Sequence, residues 1–170
     1  SATILLRYAT PSYSACVYGR SRRMVCAVRC DYSTLYPYGG GIDKTKDMKQ
    51  AIIIGATSGI GLAVATLLIE KGWRVAVTGR RLERLEALQH SYDKERVVIR
   101  AMDVTEESAI ESLDALLEEV AAPDVLLYAA GIGKQNPELN EDMELRTVKT
   151  NCEGMVRIVD HFINYVKRSP

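Results

Sequence analysis

The stretch Gln50-Ala51-Ile52-Ile53-Ile54-Gly55-Ala56-Thr57-Ser58-Gly59-Ile60-Gly61 constrains this chain more than any other. Four apolar residues in a row predict a short strand buried on both faces. Three glycines follow at the spacing G-x3-G-x-G, and an amphipathic helix then opens with Ile60, Val64, Leu67 and Leu68 on one expected face. Strand, glycine turn and helix form the geometry that sets a diphosphate on backbone N–H groups at a helix N-terminus. In that arrangement Gly55 turns the chain off the strand, Gly59 keeps side chains away from the phosphates, and Gly61 lets the helix approach the sheet. Taken alone, such a turn also fits a strand that simply ends on glycine.

The remaining pattern from Met48 onward extends this unit. It predicts strands at 50–54, 74–78, 97–101 and 125–128 and helices at 59–71, 82–89 and about 105–120. Gly72 ends the first helix. Thr105 is the expected cap of the third, with Glu106 and Glu107 in its first turn and Ile110, Leu113, Leu117 and Val120 on its apolar face. A long helix is expected over 141–167, with Val148, Cys152, Met155, Val159, Phe162 and Val166 as its apolar stripe. Alternating strands and helices imply a parallel sheet with right-handed crossovers. The expected fold is therefore α/β, a Rossmann-like doubly wound sheet of about four strands in the order 3-2-1-4. Its ligand belongs at the carboxyl ends of the strands, near the switch point between strands 1 and 4.

Residues 1–47 are unlike the rest. They hold six of the nine tyrosines and three of the four cysteines, with a formal charge of +4 against −4 for 48–170. They show no sustained period, and Tyr38-Gly39-Gly40-Gly41 reads as a joint. An irregular N-terminal extension or upstream read-through before a natural start at Met48 is the preferred reading. A targeting segment and a true structural element are the alternatives. Cys16, Cys26 and Cys30 have no His or acidic cluster to complete a metal site. The four thiols fit a reduced, cytoplasmic setting. A net charge of zero gives no electrostatic case for nucleic acid or an anionic membrane, and no apolar run is long enough to span a bilayer.

The second strand ends Thr78-Gly79-Arg80-Arg81. An acid there would take the ribose 2′-hydroxyl of NAD. Two guanidinium groups suit a 2′-phosphate instead, so NADP is expected in preference to NAD. The alternative is that both arginines are solvated in the first turn of a helix.

Over 48–170 the chain resembles the short-chain dehydrogenase/reductase family. The resemblance rests on Gly55-Ala56-Thr57-Ser58-Gly59-Ile60-Gly61, on Asp103-Val104, on Ala130-Gly131 and on Asn151, at offsets of 48, 76 and 96 from Gly55 to Asp103, Gly131 and Asn151. It implies a cofactor site that includes Thr57, with Ser58 and Ile60 lining the pyrophosphate. It implies further that Asp103 and the Val104 backbone lie beside the adenine, and that Ala130-Gly131 leaves room for the nicotinamide-side ribose. Asn151 looks like the family's catalytic asparagine, which kinks its helix; a helix-interior Asn bonded locally is the other reading. One departure is Tyr128-Ala129-Ala130-Gly131, where the family writes Asn-Asn-Ala-Gly. Losing the first amide is expected to weaken the tie between this strand and its neighbours.

The family's serine and its Tyr-x3-Lys pair are not found: no tyrosine here has a lysine at +4. The resemblance thus implies the cofactor-binding portion of a longer reductase, inactive alone, whose parent moves hydride between NADP(H) and a small carbonyl or alcohol substrate. A non-catalytic NADP-binding module and an inactive fragment are the alternatives. The fourth strand is expected as an exposed edge, and the 141–167 helix as a homo-oligomer surface.

Overall fold

The computed structural model describes residues 48–168 and, as backbone only, three strands: β1 (Ile4–Leu6), β2 (Tyr13–Tyr18) and β3 (Val25–Cys30). The proposed joint at 38–41 lies outside the described residues, as do the side chains of Cys16, Cys26 and Cys30.

Four parallel strands form the centre: β4 (Gln50–Ile54), β5 (Arg74–Gly79), β6 (Val97–Ala101) and β7 (Val125–Tyr128). They lie in the order β7-β4-β5-β6, with Ile52 opposite both Ala76 and Leu126. This is the expected 3-2-1-4 arrangement. All of β4 is buried because both of its faces are covered. Its alternating side chains feed two cores. Ile52 and Ile54 join Leu113, Leu117, Leu126, Ile158 and Phe162 on one face. Ile53 joins Ala65, Ile69, Val77, Leu85 and Leu127 on the other.

The helices that cover these faces are α1 (Gly59–Glu70) and α2 (Leu82–His90) on one side, and α3 (Ala109–Val120) and α5 (Gly154–Arg168) on the other. α1 stops before Gly72, which takes the left-handed φ of 84° that a side chain resists. Strand and helix positions were legible to within a few residues; four packing details were not.

First, α1 buries Gly61, Ala65 and Ile69, while Ile60 and Leu67 are exposed. At its start the helix lies close to the sheet, so the small Gly61 and Ala65 take the buried line there, with Val64 and Leu68 partly buried beside it. Second, Thr105 does not cap α3, which begins later at Ala109; its N–H and hydroxyl both donate to Asp103 Oδ1, at 3.0 and 2.8 Å. An Asx-type turn has taken the residue the cap needed. Third, the long helix is not continuous. α4 (Glu141–Val148) passes through a π-helical turn, Lys149–Glu153, into α5. The inserted residue rotates the apolar face, so the buried line is Gly154, Ile158, Phe162 and Val166. Of the expected stripe, Phe162 and Val166 are buried and Met155 and Val159 pack against the core, while Val148 and Cys152 are exposed. Fourth, β7 is not an open edge: β3 pairs with it antiparallel, Val28 opposite Leu126, and β2 and β1 continue the sheet beyond. β1, β2 and β3 fall within the segment expected to be an irregular extension.

The amino ends of the central strands are closed by polar ties. Asp124 Oδ2 accepts from the Gln50 N–H at 2.7 Å, and Gln50 Nε2 donates to the Ala121 carbonyl at 3.3 Å. The carboxyl ends are where a crevice opens.

Candidate functional site

The crevice is built where β4, β5, β6 and β7 end. The residues around it include Gly55, Thr57, Ser58, Arg80, Arg81, Asp103, Val104, Ala130 and Gly131, which are nine of the expected site residues. Ile54, Thr78, Gly79, Met102, Ala129, Ile132 and Thr150 also line it and went unread in the sequence. Apart from Thr150, which lies in a helical turn, they are strand-end and loop residues beside the motifs, so spacing alone gave no signal for them. Gly59, Ile60, Gly61 and Asn151 do not line it. Gly59 and Ile60 are exposed at the start of α1, and Gly61 is buried beneath them.

The turn off β4 is set by close approach. The Gly55 and Ala56 N–H groups both donate to the Thr78 carbonyl, at 3.0 and 2.8 Å. Gly55 takes φ of 91°, and a Cβ there would strike the backbone nitrogen of Ala130. At Gly61 a Cβ would strike the Gly55 carbonyl oxygen. The turn is therefore wedged between the start of α1 and the loop after β7.

This leaves an anion-receptive helix end. Ser58 is the N-cap of α1 but its side chain makes no capping bond, and the first turn holds no acid. The leading N–H groups of a helix lack partners within it, and its dipole favours negative charge there. Arg81 adds a cation: its guanidinium donates to Thr57 Oγ1 at 2.8 Å and to Ser58 Oγ at 3.1 Å. Arg80 stands 3.8 Å from Asp103, whose carboxylate also accepts two bonds from Thr105. Both arginines are exposed. The Thr78 hydroxyl is buried with no partner among the described residues. Open N–H groups, two exposed guanidiniums and a hydroxyl without a partner among the described residues fit a phosphate-bearing ligand.

At the other end, Asn151 lies in the π turn behind Gly131. Its Oδ1 accepts from the Ile132 N–H and its Nδ2 donates to the Ile132 carbonyl. A Cβ on Gly131 would lie 3.4 Å from Asn151 Oδ1. Tyr128, fully buried, donates its hydroxyl to the Thr150 carbonyl at 2.9 Å. The expected weakening at this departure is thus offset by a different tie, to the π turn. Burial pushes the Tyr128 phenol up, with Asp103 and Cys152 adding to the effect. Outside the crevice, His161 Nε2 meets Asp114 Oδ1 at 2.6 Å and joins α5 to α3. No described group of His, Cys, Asp and Glu is arranged to hold a metal, and no described helix is long and apolar enough to cross a membrane.

The family model described as short chain dehydrogenase matches residues 49–170. Serine 3-dehydrogenase of Agrobacterium fabrum is 37% identical over 116 residues, which are 66% of this chain and 46% of that protein. Glycine betaine reductase ATRR of Emericella nidulans is 39% identical over 113 residues, 64% of this chain but 9% of that protein. Thus the chain spans about half the length of the former and a small part of the latter. Among solved structures, a variant of actinorhodin polyketide ketoreductase with NADPH superposes with a TM-score of 0.64 at 32% identity, covering 72% of this chain and 49% of that one.

Proposed function

This chain belongs to the short chain dehydrogenase family, and from that membership we propose that it is the cofactor-binding half of an NADP(H)-dependent oxidoreductase acting on a carbonyl or alcohol substrate. The observation that carries the cofactor choice is the pair Arg80 and Arg81 directly after β5, with Arg81 already reaching across the uncapped start of α1. A carboxylate at that strand end would suit an unphosphorylated ribose; two guanidiniums suit a phosphate. The similar ketoreductase solved with NADPH supports the same choice.

Each residue has a part in this reading. The backbone from Thr57 to Ile60 and the Ser58 hydroxyl receive the diphosphate, and Gly59 leaves that approach open. Arg80 and Arg81 turn from Asp103 and from the Thr57 and Ser58 hydroxyls to a 2′-phosphate. Asp103 and Val104 border the adenine, and Ala130 and Gly131 make room for the second ribose. Asn151 holds the Ile132 loop by both of its backbone groups. When bound, the nicotinamide gives or takes the hydride.

We also propose self-association through the α4–α5 region. Leu145, Val148 and Val156 are 57, 54 and 53% exposed there, while Ile158, Phe162 and Val166 of α5 pack on the sheet.

Titrating the purified chain with NADPH and NADH, for the native sequence and for Arg80→Ala/Arg81→Ala, tests the cofactor assignment. NADPH should bind more tightly to the native chain, and the double variant should lose that preference. Equal affinities in the native chain, or equal losses for both cofactors, would rule the assignment out.

A further inference from the structure

The family resemblance assigns no task to a tyrosine at position 128, yet this side chain is one of the largest fully buried ones among the described residues and carries a polar atom into the core. That atom is not idle. Its bond to the Thr150 carbonyl spans β7 and the π turn, two elements that also meet through Asn151 and Ile132. The two ties are offset by one residue on the π turn, Thr150 then Asn151, and by four on the other segment, Tyr128 then Ile132. Together they fix both the height and the rotation of the turn against the loop that borders the crevice.

Two further observations show that the contact is built in. A Cβ on Gly154 would lie 3.1 Å from the Tyr128 hydroxyl and 2.9 Å from the Val104 carbonyl oxygen, so the approach of α5 to the phenol depends on glycine at the end of the π turn. A π turn also interrupts the regular helical ladder, and a side-chain donor at such a break supports a carbonyl that a straight helix would satisfy itself. With its proton held tightly by burial, the phenol remains a donor across the neutral range.

We propose that Tyr128 is a positioning residue, whose hydroxyl, through Thr150, sets the π turn so that Asn151 and the Ile132 loop shape the nicotinamide end of the crevice. Thr150 and Ile132 both line that crevice, whereas its adenosine end in this reading is bounded by Arg80 and Arg81, which follow β5, and by Asp103, which follows β6. Loss of the hydroxyl therefore acts on one end of a bound dinucleotide. This inference rests on the NADP reading above.

The test compares two ligands on the purified native chain and on Tyr128→Phe, which keeps the ring. Adenosine 2′,5′-bisphosphate reports the adenosine end alone; NADPH reports both ends. The expected result is a loss of about tenfold in NADPH affinity, as for one buried hydrogen bond, with adenosine bisphosphate affinity unchanged. A general loss of stability would weaken both ligands in proportion. Equal losses for the two ligands, or no loss for either, overturn the positioning role while leaving the NADP reading standing. Failure of the native chain to bind either ligand removes the reading and this inference together. If Tyr128→Phe does not fold, NMR of the native chain decides: the Asn151 side-chain amide should shift with NADPH and not with adenosine bisphosphate. A shift with both, or with neither, overturns the proposal.

Discussion

Asn151 grips a single residue twice: its Oδ1 accepts from the Ile132 N–H at 2.9 Å, and its Nδ2 donates to the Ile132 carbonyl at 2.7 Å. Only a carboxamide offers a donor and an acceptor side by side, so the position is chemically specific. Asn151→Ala leaves both Ile132 groups without these partners and should cost about 2 kcal/mol, in the range for unsatisfied, partly buried polar groups. Asn151→Asp should do no better, because one carboxylate oxygen would face the Ile132 carbonyl. Denaturant unfolding of the three proteins checks this; an aspartate as stable as the native residue would contradict it.

Gly55 should tolerate no side chain. Its φ of 91° is strained for any L residue, and a Cβ would collide with the Ala130 backbone. The strain and the forced movement of two backbones place Gly55→Ala beyond about 3 kcal/mol of destabilisation. Thermal unfolding measures it. A variant of native stability would show that the turn is looser than described.

Tyr128 also makes an alkaline signature. Its phenol is held above the ordinary value by burial, then by Asp103 and Cys152. In the unfolded chain it loses its proton near pH 10. Above that pH the folded state binds more protons than the unfolded one, so this residue's contribution is full below about pH 10 and falls as pH rises further. The stability difference between the native chain and Tyr128→Phe should therefore be constant from pH 7 to 9 and shift against the native chain above about pH 10. A difference that does not change across that range would contradict the buried, protonated state.

Self-association should be sensitive to the outward face of α4 and α5. Leu145→Glu with Val156→Lys places charge on two exposed apolar positions without touching Ile158, Phe162 or Val166 in the core. Sedimentation should show the native chain associating and the double variant shifted toward monomer. An unchanged distribution would remove this surface from the account.

Much of the fold was readable because local chemistry and global packing agree. The β4 run, the glycine turn and Gly72 each have one reading in a parallel sheet. Phase was less legible than position. On α1, Ile60 and Leu67 fell off the buried face because the helix packs through Gly61, Ala65 and Ile69, and ahead of α5, Val148 and Cys152 did so because the π turn at Lys149–Glu153 adds a residue that no periodicity reveals. Asp103 was marked, but not its hold on Thr105, which delays α3 to Ala109. At the site, the motif residues were visible by type and spacing. Thr78, Met102 and Thr150 were not, because they reach the crevice only through the order of the strands. The pairing of β3 with β7 joins residues about a hundred positions apart in sequence, and local periodicity does not report such pairing.

The central claim is that a phosphorylated dinucleotide lies across the start of α1 with its adenosine end at Arg80 and Arg81. Amide NMR of the chain titrated with NADPH tests it most directly. The account expects saturable shifts confined to 55–61, to Arg80, Arg81, Asp103 and Val104, and to 129–132 with Asn151. Shifts elsewhere with these residues unmoved, or none at all, would contradict it.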